Sequence, residues 1–314
     1  MKPGAIFKNL IKGMKIKLFL LTLGILSLAS VSHAANRALL VGIGNYDADA
    51  TGWNPISGRN DVEFLEGRLA SHDFSISKLV DEQATKENIL AAISNLIDSS
   101  NEGDNIYLHF AGHGQLVADL SQDEKDGFDQ SFVCYGACVS PDYYFDDAPY
   151  VGQNHLIDDE IFPYLSQLRS AVGPDGHIMV IYDSCYSEDA VRGELGGAPD
   201  PDSPVEMIDV TRGTGDEFPA NDITREYLSS IQAPGQYAEA GGEMVVISAC
   251  ERNRKNYECR DKETGVSYGS LSYCIGMLFD DNVPMSEWAD VFGTPRFRSY
   301  KIFRATQHPQ VEKI

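Results

Sequence analysis

The eleven residues "NIYLHFAGHGQ" (105–115) join a short apolar run to an alternation of glycine and histidine. A run of this length, rich in aliphatic and aromatic side chains, is typical of a buried strand. A second stretch, "HIMVIYDSCYSE" (177–188), is built in the same way, with polar residues directly after the apolar run. The carboxyl ends of strands in an open parallel sheet meet at one edge, where ligands bind. The two stretches therefore predict a parallel sheet with a site at the ends of two strands.

Other segments fit the same architecture. Three more apolar, β-branched runs lie at 37–43, 74–80 and 243–250. Apolar residues between the runs recur at helical spacing, as in Ile89, Ile93 and Leu96. Strands that alternate with helices predict an α/β fold, with a mostly parallel central sheet of about six strands and helices on both faces. The run 298–304 is predicted to add an edge strand.

The first 34 residues have a different composition from the rest of the chain. They contain five lysines and no acid, then the apolar run "LFLLTLGILSLASV" (18–31) and the small-residue sequence "SHA". This order is that of a secretory signal peptide, with cleavage expected near Ala34. The apolar run is shorter than the roughly 20 residues that a membrane-spanning helix needs. We therefore expect an exported protein, periplasmic or secreted, with no stable membrane anchor and one domain over 35–314.

The charge of the chain restricts its partners. The 314 residues carry 47 acids and 25 lysines and arginines, a net charge of −22, and loss of the lysine-rich leader would make the remainder more acidic. This charge argues against nucleic acid as a partner, because binding to phosphates requires positive charge. Cationic substrates or metal ions fit this charge better.

Two segments interrupt the strand and helix pattern. An acidic insertion is expected over 116–157, and a flexible, exposed insertion rich in glycine and proline over 193–242. Six cysteines follow the leader, and two pairs, Cys134 with Cys138 and Cys250 with Cys259, are close enough in sequence to close small loops in an oxidising compartment.

The two strand ends carry a histidine and a cysteine that suit nucleophilic catalysis. His113 lies between two glycines after the first run, and Cys185 lies two residues beyond Asp183 after the second. A cysteine with a pKa of about 8.5 is only a few per cent ionised at neutral pH, so a neighbouring imidazole is needed to accept its proton. The backbone N–H groups of Gly114 and Cys185 are candidate donors to an oxyanion.

These stretches resemble the caspase-like cysteine peptidases, in particular the metacaspases and their bacterial relatives. The resemblance rests on "HFAGHG" and "YDSCYSE", with support from "RALLVGIGNY", "GRNDVEFL", "SACERNRKNYE" and "GSLSYCIG", and it covers most of 36–311. It implies a caspase-like fold and a cysteine endopeptidase with His113 and Cys185 as its catalytic dyad. Ala111, Tyr186 and Glu188 stand where the family usually has Ser, His and Gly.

The resemblance also implies a specificity. Metacaspases cut proteins and peptides after arginine or lysine, and the acids that bind this side chain match Asp61 and Asp183, with Ala111 expected to line the same cleft. Self-processing within the family makes three arginines candidate cleavage points. They are Arg192, Arg212 and Arg225.

A metal ion is implied in the same way. Several metacaspases are stimulated by calcium through aspartates that match Asp129, Asp158 and Asp159, and Ca²⁺ prefers sets of carboxylate oxygens. Ca²⁺ is the only cofactor that the resemblance implies.

Two other functions remain open at this stage. A peptidase related to clostripain or gingipain would share the dyad and the arginine preference, although the "NDV" and "SAC" sequences favour a metacaspase. A catalytically silent caspase-like module that binds partners would be compatible with the unusual "CYSE" sequence. The sequence does not indicate an oligomeric state.

Overall fold

The computed structural model describes residues 34–185, 202–213, 216–232, 241–251, 255–292, 302–303 and 307–314. Its strands are β1 (Asn36–Gly42), β2 (Phe74–Val80), β3 (Asn105–Ala111), β4 (Gly114–Ala118), β5 (Phe128–Val133), β6 (Tyr144–Phe145), β7 (Ala148–Pro149), β8 (His155–Ile157), β9 (His177–Asp183), β10 (Val205–Thr211), β11 (Glu243–Ser248), β12 (Tyr257–Asp261), β13 (Ser267–Gly269) and β14 (Gln310–Lys313). Its helices are α1 (Ala48–Thr51), α2 (Gly58–Ser71), α3 (Lys86–Ser99), α4 (Asp158–Val172), α5 (Arg225–Ile231), α6 (Ser270–Asp280) and α7 (Met285–Val291).

A six-stranded sheet in the order β14-β11-β9-β3-β1-β2 is the centre of the fold. All neighbouring strands are parallel except β14, which runs antiparallel to β11 at one edge. The predicted α/β fold and its six-stranded sheet are confirmed. The edge strand is 310–313 rather than the predicted 298–304; of the latter, only 302 and 303 are described, and neither is in a strand.

Helices cover both faces of this sheet, as the sequence predicted. Helices α2 and α6 pack together on one face, and α3 and α4 on the other. Each face has its own apolar core: Val62, Leu65 and Leu271 belong to the first, and Ile93 and Leu165 to the second. The helical spacing of these residues is what presents them to the sheet.

The acidic segment 116–157 folds back on the sheet instead of forming an open loop. Strands β4, β5 and β8 make an antiparallel sheet, and β6 with β7 make a hairpin. Strand β4 begins at Gly114, so this second sheet starts immediately after His113. The acidic segment is therefore joined directly to the candidate site.

The segment 193–242 differs from its prediction wherever it is described. It contains β10, which pairs with β12, and α5. Val205, Arg212, Phe218 and Leu228 are buried, so the expectation of an exposed insertion is wrong for these parts. The prediction failed because the apolar residues of this segment do not recur at a helical or strand spacing. They enter the core as single side chains and not as one helical face.

The predicted disulfide bonds are not formed, whereas the predicted leader is hardly described. None of the six cysteines, all within the described ranges, is in a disulfide bond. Residues 34–314 form one compact unit, and of the predicted leader 1–34 only Ala34 lies within the described residues. Within the described ranges, no helix combines the length and apolar character that crossing a bilayer requires.

Candidate active site

The ends of β3 and β9 bring the two predicted catalytic residues to one place. The strands are neighbours, and their last residues, Ala111 and Asp183, stand opposite each other in the register. His113 and Cys185 each follow two residues later, so both leave the sheet at the same edge. Both are buried, at 4% and 1% exposure.

The ring of His113 is held in one orientation and one tautomer. Its Nε2 lies 2.8 Å from the carbonyl oxygen of Asn54, and a carbonyl only accepts, so Nε2 carries the proton. The rings of Tyr46 and Trp53 pack against it, each with its centroid 4.8 Å from that of the imidazole. Nδ1 is buried without a hydrogen-bond partner among the described residues. This nitrogen is therefore an acceptor available for a proton.

Burial also sets the charge of this ring. It lowers the pKa of His113 to about 4, while the backbone groups of Asn54 and Arg212 oppose the shift. The imidazole is neutral at pH 7 and can serve as a base.

The two predicted oxyanion donors converge on one carbonyl oxygen, that of Arg212. The N–H of Cys185 lies 2.9 Å from this oxygen and the N–H of Gly114 lies 3.0 Å from it. Two N–H donors on one carbonyl form the arrangement that stabilises a tetrahedral intermediate. Because one donor belongs to Cys185 itself, the carbonyl of Arg212 is presented to that residue.

The side chain of Arg212 fills a pocket lined by three acids, and it is fully buried. Nη2 lies 2.6 Å from Asp61 Oδ2, and 3.1 Å from Glu258 Oε1. Nη1 lies 3.1 Å from the backbone oxygen of Asp183 and 3.6 Å from its carboxylate. Ser57 Oγ accepts a further hydrogen bond from Nη2, at 3.0 Å. The pocket therefore matches a planar guanidinium on several sides.

Each acid of the pocket is oriented by neighbouring donors. Asp61 accepts the N–H of Gly269 at 2.9 Å, and Asp183 accepts the N–H of Ser272 at 2.7 Å, both near the beginning of α6. Asp183 also accepts the side-chain amide of Asn256. The positive end of a helix dipole lowers the cost of burying these carboxylates.

The pocket has no room for a side chain at Gly269. A Cβ there would lie 2.1 Å from Asp183 Oδ2 and 2.5 Å from the guanidinium carbon of Arg212. This glycine forms one wall of the pocket.

The family description "Metacaspase, peptidase C14 domain" matches residues 36–192, half of the chain, including the ends of β3 and β9. The chain belongs to the metacaspases. Its family is thus one of cysteine-type peptidases, which act on proteins and peptides.

Curated relatives carry the same name. Metacaspase-1B of Aspergillus fumigatus is 33% identical over 173 residues, which cover 52% of this chain and 38% of that protein. Metacaspase-1 of Eremothecium gossypii is 25% identical over 267 residues, which cover 76% of this chain and 55% of that protein. This metacaspase thus matches only part of the length of these relatives.

A solved structure supports the fold. The crystal structure of protein GSU0716 from Geobacter sulfurreducens superimposes with a TM-score of 0.58 at 19% identity, covering 89% of this chain and 93% of that one. At this identity the likeness concerns the fold alone.

The pocket residues of this metacaspase were only partly anticipated. Asp61 and Asp183 were predicted, but Glu258 and Ser57 were not. Glu258 lies within "SACERNRKNYE", a stretch that carried the family resemblance, so the stretch but not the residue could be found from sequence.

Ala111 is buried at the end of β3, where its carbonyl accepts the N–H of Ile43, and its place in the cleft stays a prediction. Tyr186, Glu188 and Arg192 lie outside the described residues.

A cluster of acids lies at the far end of the β4–β5 pair. Carboxylate oxygens of Asp119, Asp123 and Asp129 lie within 4.8 Å of one another. Asp129 is 1% exposed, and neither of its side-chain oxygens has a hydrogen-bond partner among the described residues. Burial raises the pKa of Asp129 to about 8, and the charges of Asp158 and Asp159 add to this. The predicted metal ligands therefore share one neighbourhood, and the structure adds Asp119 and Asp123, which the sequence did not predict.

Proposed function

We propose that this metacaspase is an arginine-specific cysteine endopeptidase that cleaves its own chain between Arg212 and Gly213. One observation carries the proposal: the carbonyl oxygen of Arg212 accepts hydrogen bonds from the N–H groups of both Gly114 and Cys185. No other of the three candidate arginines has comparable support, since Arg225 is exposed at the start of α5 and Arg192 lies outside the described residues.

The chemistry follows from the orientation of His113. Nδ1 accepts the proton of the Cys185 thiol, and the resulting thiolate attacks the carbonyl carbon of Arg212. The oxygen becomes an oxyanion held by the two N–H donors. As the C–N bond breaks, the imidazolium returns its proton to the nitrogen of Gly213, which leaves as an amine. Water then hydrolyses the thioester, with His113 again as the base.

The pocket favours arginine over lysine. The guanidinium of Arg212 contacts Asp61 and Glu258 through Nη2 and Asp183 through Nη1. A lysine ammonium is a single point charge that cannot span these acids. The expected order of substrates is arginine first, lysine second, and uncharged residues far behind.

The same arrangement implies that the intact chain is inactive on other proteins. Arg212 fills the pocket completely, and β10 occupies the strand position beside β12. The arginine of an external substrate needs this pocket, so self-cleavage has to come before cleavage in trans.

Internally quenched peptides test the proposal. A peptide with the sequence Val-Thr-Arg-Gly, as in residues 210–213, is expected to be cut after arginine by the self-cleaved protein. Its counterpart with glutamine in place of arginine is the control. Equal hydrolysis of the two peptides would contradict the arginine specificity.

The rate of peptide cleavage is expected to rise with pH because Asp61 has to be ionised to bind the substrate. Burial raises the pKa of this acid to about 8, partly opposed by the positive charge of Arg212 and reinforced by Asp183. Only the ionised carboxylate attracts a cationic side chain, so kcat/KM increases with pH as Asp61 loses its proton. In Asp61→Asn the increase disappears, whereas Asp98→Asn, an exposed change in α3, leaves it intact. A profile for Asp61→Asn that matches the wild type would refute this assignment.

We also propose that Asp119, Asp123 and Asp129 bind Ca²⁺, with Asp158 and Asp159 contributing charge. A buried carboxylate with two unpartnered oxygens is suited to a hard cation. Hydrogen bonds from the N–H groups of Gln122 and Glu124 and from the Ser121 hydroxyl, against the effect of burial, hold the pKa of Asp119 below its usual range. Bound Ca²⁺ would fix the end of the β4–β5 pair, whose other end carries Gly114.

Calcium is expected to stabilise the protein more at pH 9 than at pH 5. The pKa of Asp129 is about 8 in the folded protein, well above its ordinary value, so the contribution of this one group to stability is largest at low pH and is lost as pH rises toward 8. Ca²⁺ binds the ionised form and offsets this loss. At a concentration about 100 times its Kd it should raise Tm by roughly 5 °C at pH 9.

A matched pair of variants tests the calcium site by thermal unfolding. Asp129→Asn should lose the calcium response, and Asp142→Asn, an exposed change in the same acidic segment, should keep it. A full calcium response in Asp129→Asn would show that the ion binds elsewhere.

The location of the protein is a separate proposal that rests on the leader sequence. Lysines, an apolar run and a small-residue sequence precede Ala34. We propose export followed by cleavage near this residue. N-terminal sequencing of the mature protein tests it, and a retained leader would contradict it.

A further inference from the structure

Gly213, the residue after the proposed cleavage point, lies where no side chain fits. A Cβ at this position would lie 2.7 Å from the backbone oxygen of Cys185, 2.8 Å from that of Gly114 and 3.0 Å from Cys185 Cβ. Two of these atoms are backbone oxygens, which cannot rotate away as the end of a side chain can. Gly213 also pairs with Gly114 in a parallel bridge, so its backbone lies close to that strand.

The two residues that restrict Gly213 are the same two that hold the carbonyl of Arg212. Gly114 and Cys185 each donate an N–H to this oxygen, at 3.0 and 2.9 Å. A shift of either residue large enough to admit a Cβ would also move its N–H away from the oxygen. The lost donor would lower the rate, because each such hydrogen bond contributes about 100-fold or more.

We infer that the subsite after the cleaved bond accepts glycine alone, so that the enzyme is specific for Arg-Gly steps. The inference rests on the proposed function and narrows its substrate class to proteins with accessible Arg-Gly sequences. The limit comes from the geometry of the oxyanion donors, and a bulkier residue is excluded even when arginine fits its pocket.

A restriction to glycine also selects among the arginines of this chain. Of its thirteen arginines, two are followed by glycine, Arg192 and Arg212, whereas Arg225 is followed by Glu226. Self-processing is therefore expected at 192–193 and 212–213 and not at 225–226. The two cuts would release 193–212, which includes β10 and the arginine that fills the pocket.

A peptide series tests the inference on the self-cleaved protein. Four internally quenched peptides Val-Thr-Arg-X differ only at X, which is glycine, alanine, serine or valine. The glycine peptide is expected to be cleaved about 100-fold faster than the alanine and serine peptides, with valine slower still. Labelling of Cys185 by a peptidyl-arginine chloromethyl ketone, which carries nothing beyond the arginine, reports the dyad and the arginine pocket separately.

Labelling of Cys185 and cleavage of the peptides test the proposed function and the glycine inference separately. Labelled Cys185 together with equal cleavage of the glycine and alanine peptides would overturn the glycine inference and leave the proposed function standing. No labelling and no cleavage of any peptide would overturn both. The expected result is labelled Cys185 together with cleavage of the glycine peptide about 100-fold faster than of the alanine and serine peptides.

Variants of the chain test the same point without peptides. Gly213→Ala is expected to slow self-cleavage after Arg212 about 100-fold. Gly67→Ala is the matched control, because a Cβ at Gly67 in α2 would meet open space. Equal self-cleavage in both variants, measured by intact mass, would contradict the inference.

Discussion

Cys185→Ala is expected to remain a single full-length chain under conditions in which the wild type cleaves itself. The rate should fall by about 10⁴-fold or more, because removal of a catalytic nucleophile leaves only the contribution of binding and the oxyanion donors. His113→Ala should have a comparable effect, since the Cys185 thiol then has no base. Gel electrophoresis and intact mass over time measure both rates.

A buried cysteine elsewhere in the chain provides the control for this loss. Cys138→Ala removes a thiol whose nearest hydrogen-bond acceptor is the backbone oxygen of Gly136, and it should cleave at the wild-type rate. The fold of Cys185→Ala should be intact, because its Sγ accepts a long hydrogen bond, 3.5 Å, from the N–H of Asn256. Cleavage by Cys185→Ala at the wild-type rate would contradict the assigned nucleophile. If the wild type does not cleave itself and its Cys185 does not react, the alternative of a silent caspase-like module is supported instead.

Arg212→Gln is expected to have two separate effects, loss of self-cleavage and loss of stability. The variant leaves Asp61, Asp183 and Glu258 buried without their cation, and breaking a buried ion pair in this way costs about 3–5 kcal/mol. Cleavage at 212–213 should fall about 1,000-fold or more, because glutamine cannot neutralise the pocket. Thermal unfolding and intact mass measure the two effects independently.

Arg212→Lys distinguishes binding from folding. Lysine keeps the positive charge, so stability should be largely recovered, but the single ammonium cannot span the acids and cleavage should stay well below the wild type. Arg225→Gln, exposed in the same segment, should change neither quantity. An Arg212→Gln chain that is cleaved at 212–213 at the wild-type rate would refute the role of the pocket.

Much of the scaffold was predictable because its signals are local. The runs that became β1, β2, β3, β9 and β11 are short, apolar and bounded by polar residues, and their ends correspond closely to the observed strands. The positions of His113 and Cys185 follow from the same signals, since each lies two residues beyond a strand end.

The pocket was less predictable because its parts are far apart in the sequence. Ser57 and Glu258 meet through hydrogen bonds of 2.6 and 2.7 Å although about two hundred residues separate them. No local pattern distinguishes Glu258 from any other acid on a strand. Likewise, Arg212 was one of three candidates in a segment without periodicity, and it is distinguished from Arg225 by contacts that only the fold creates: its burial against the acids and the two hydrogen bonds to its carbonyl oxygen.

The predicted disulfide bonds failed because residues close in sequence need not have their thiols in contact. Proximity in sequence made Cys134 and Cys138 candidates for a disulfide, but sequence separation does not determine how two thiols are oriented. Both side chains are instead buried in the apolar core that also contains Ile93 and Leu165.

The position of the cut in the wild-type chain tests the central claim most directly. Purified protein, incubated with and without calcium, is measured by intact mass and by N-terminal sequencing of its fragments, with Cys185→Ala treated in parallel. The expected result is a C-terminal fragment that begins at Gly213 in the wild type and is missing from Cys185→Ala. A wild-type chain that stays intact under both conditions, or that is cut elsewhere while the bond between Arg212 and Gly213 survives, would contradict the account.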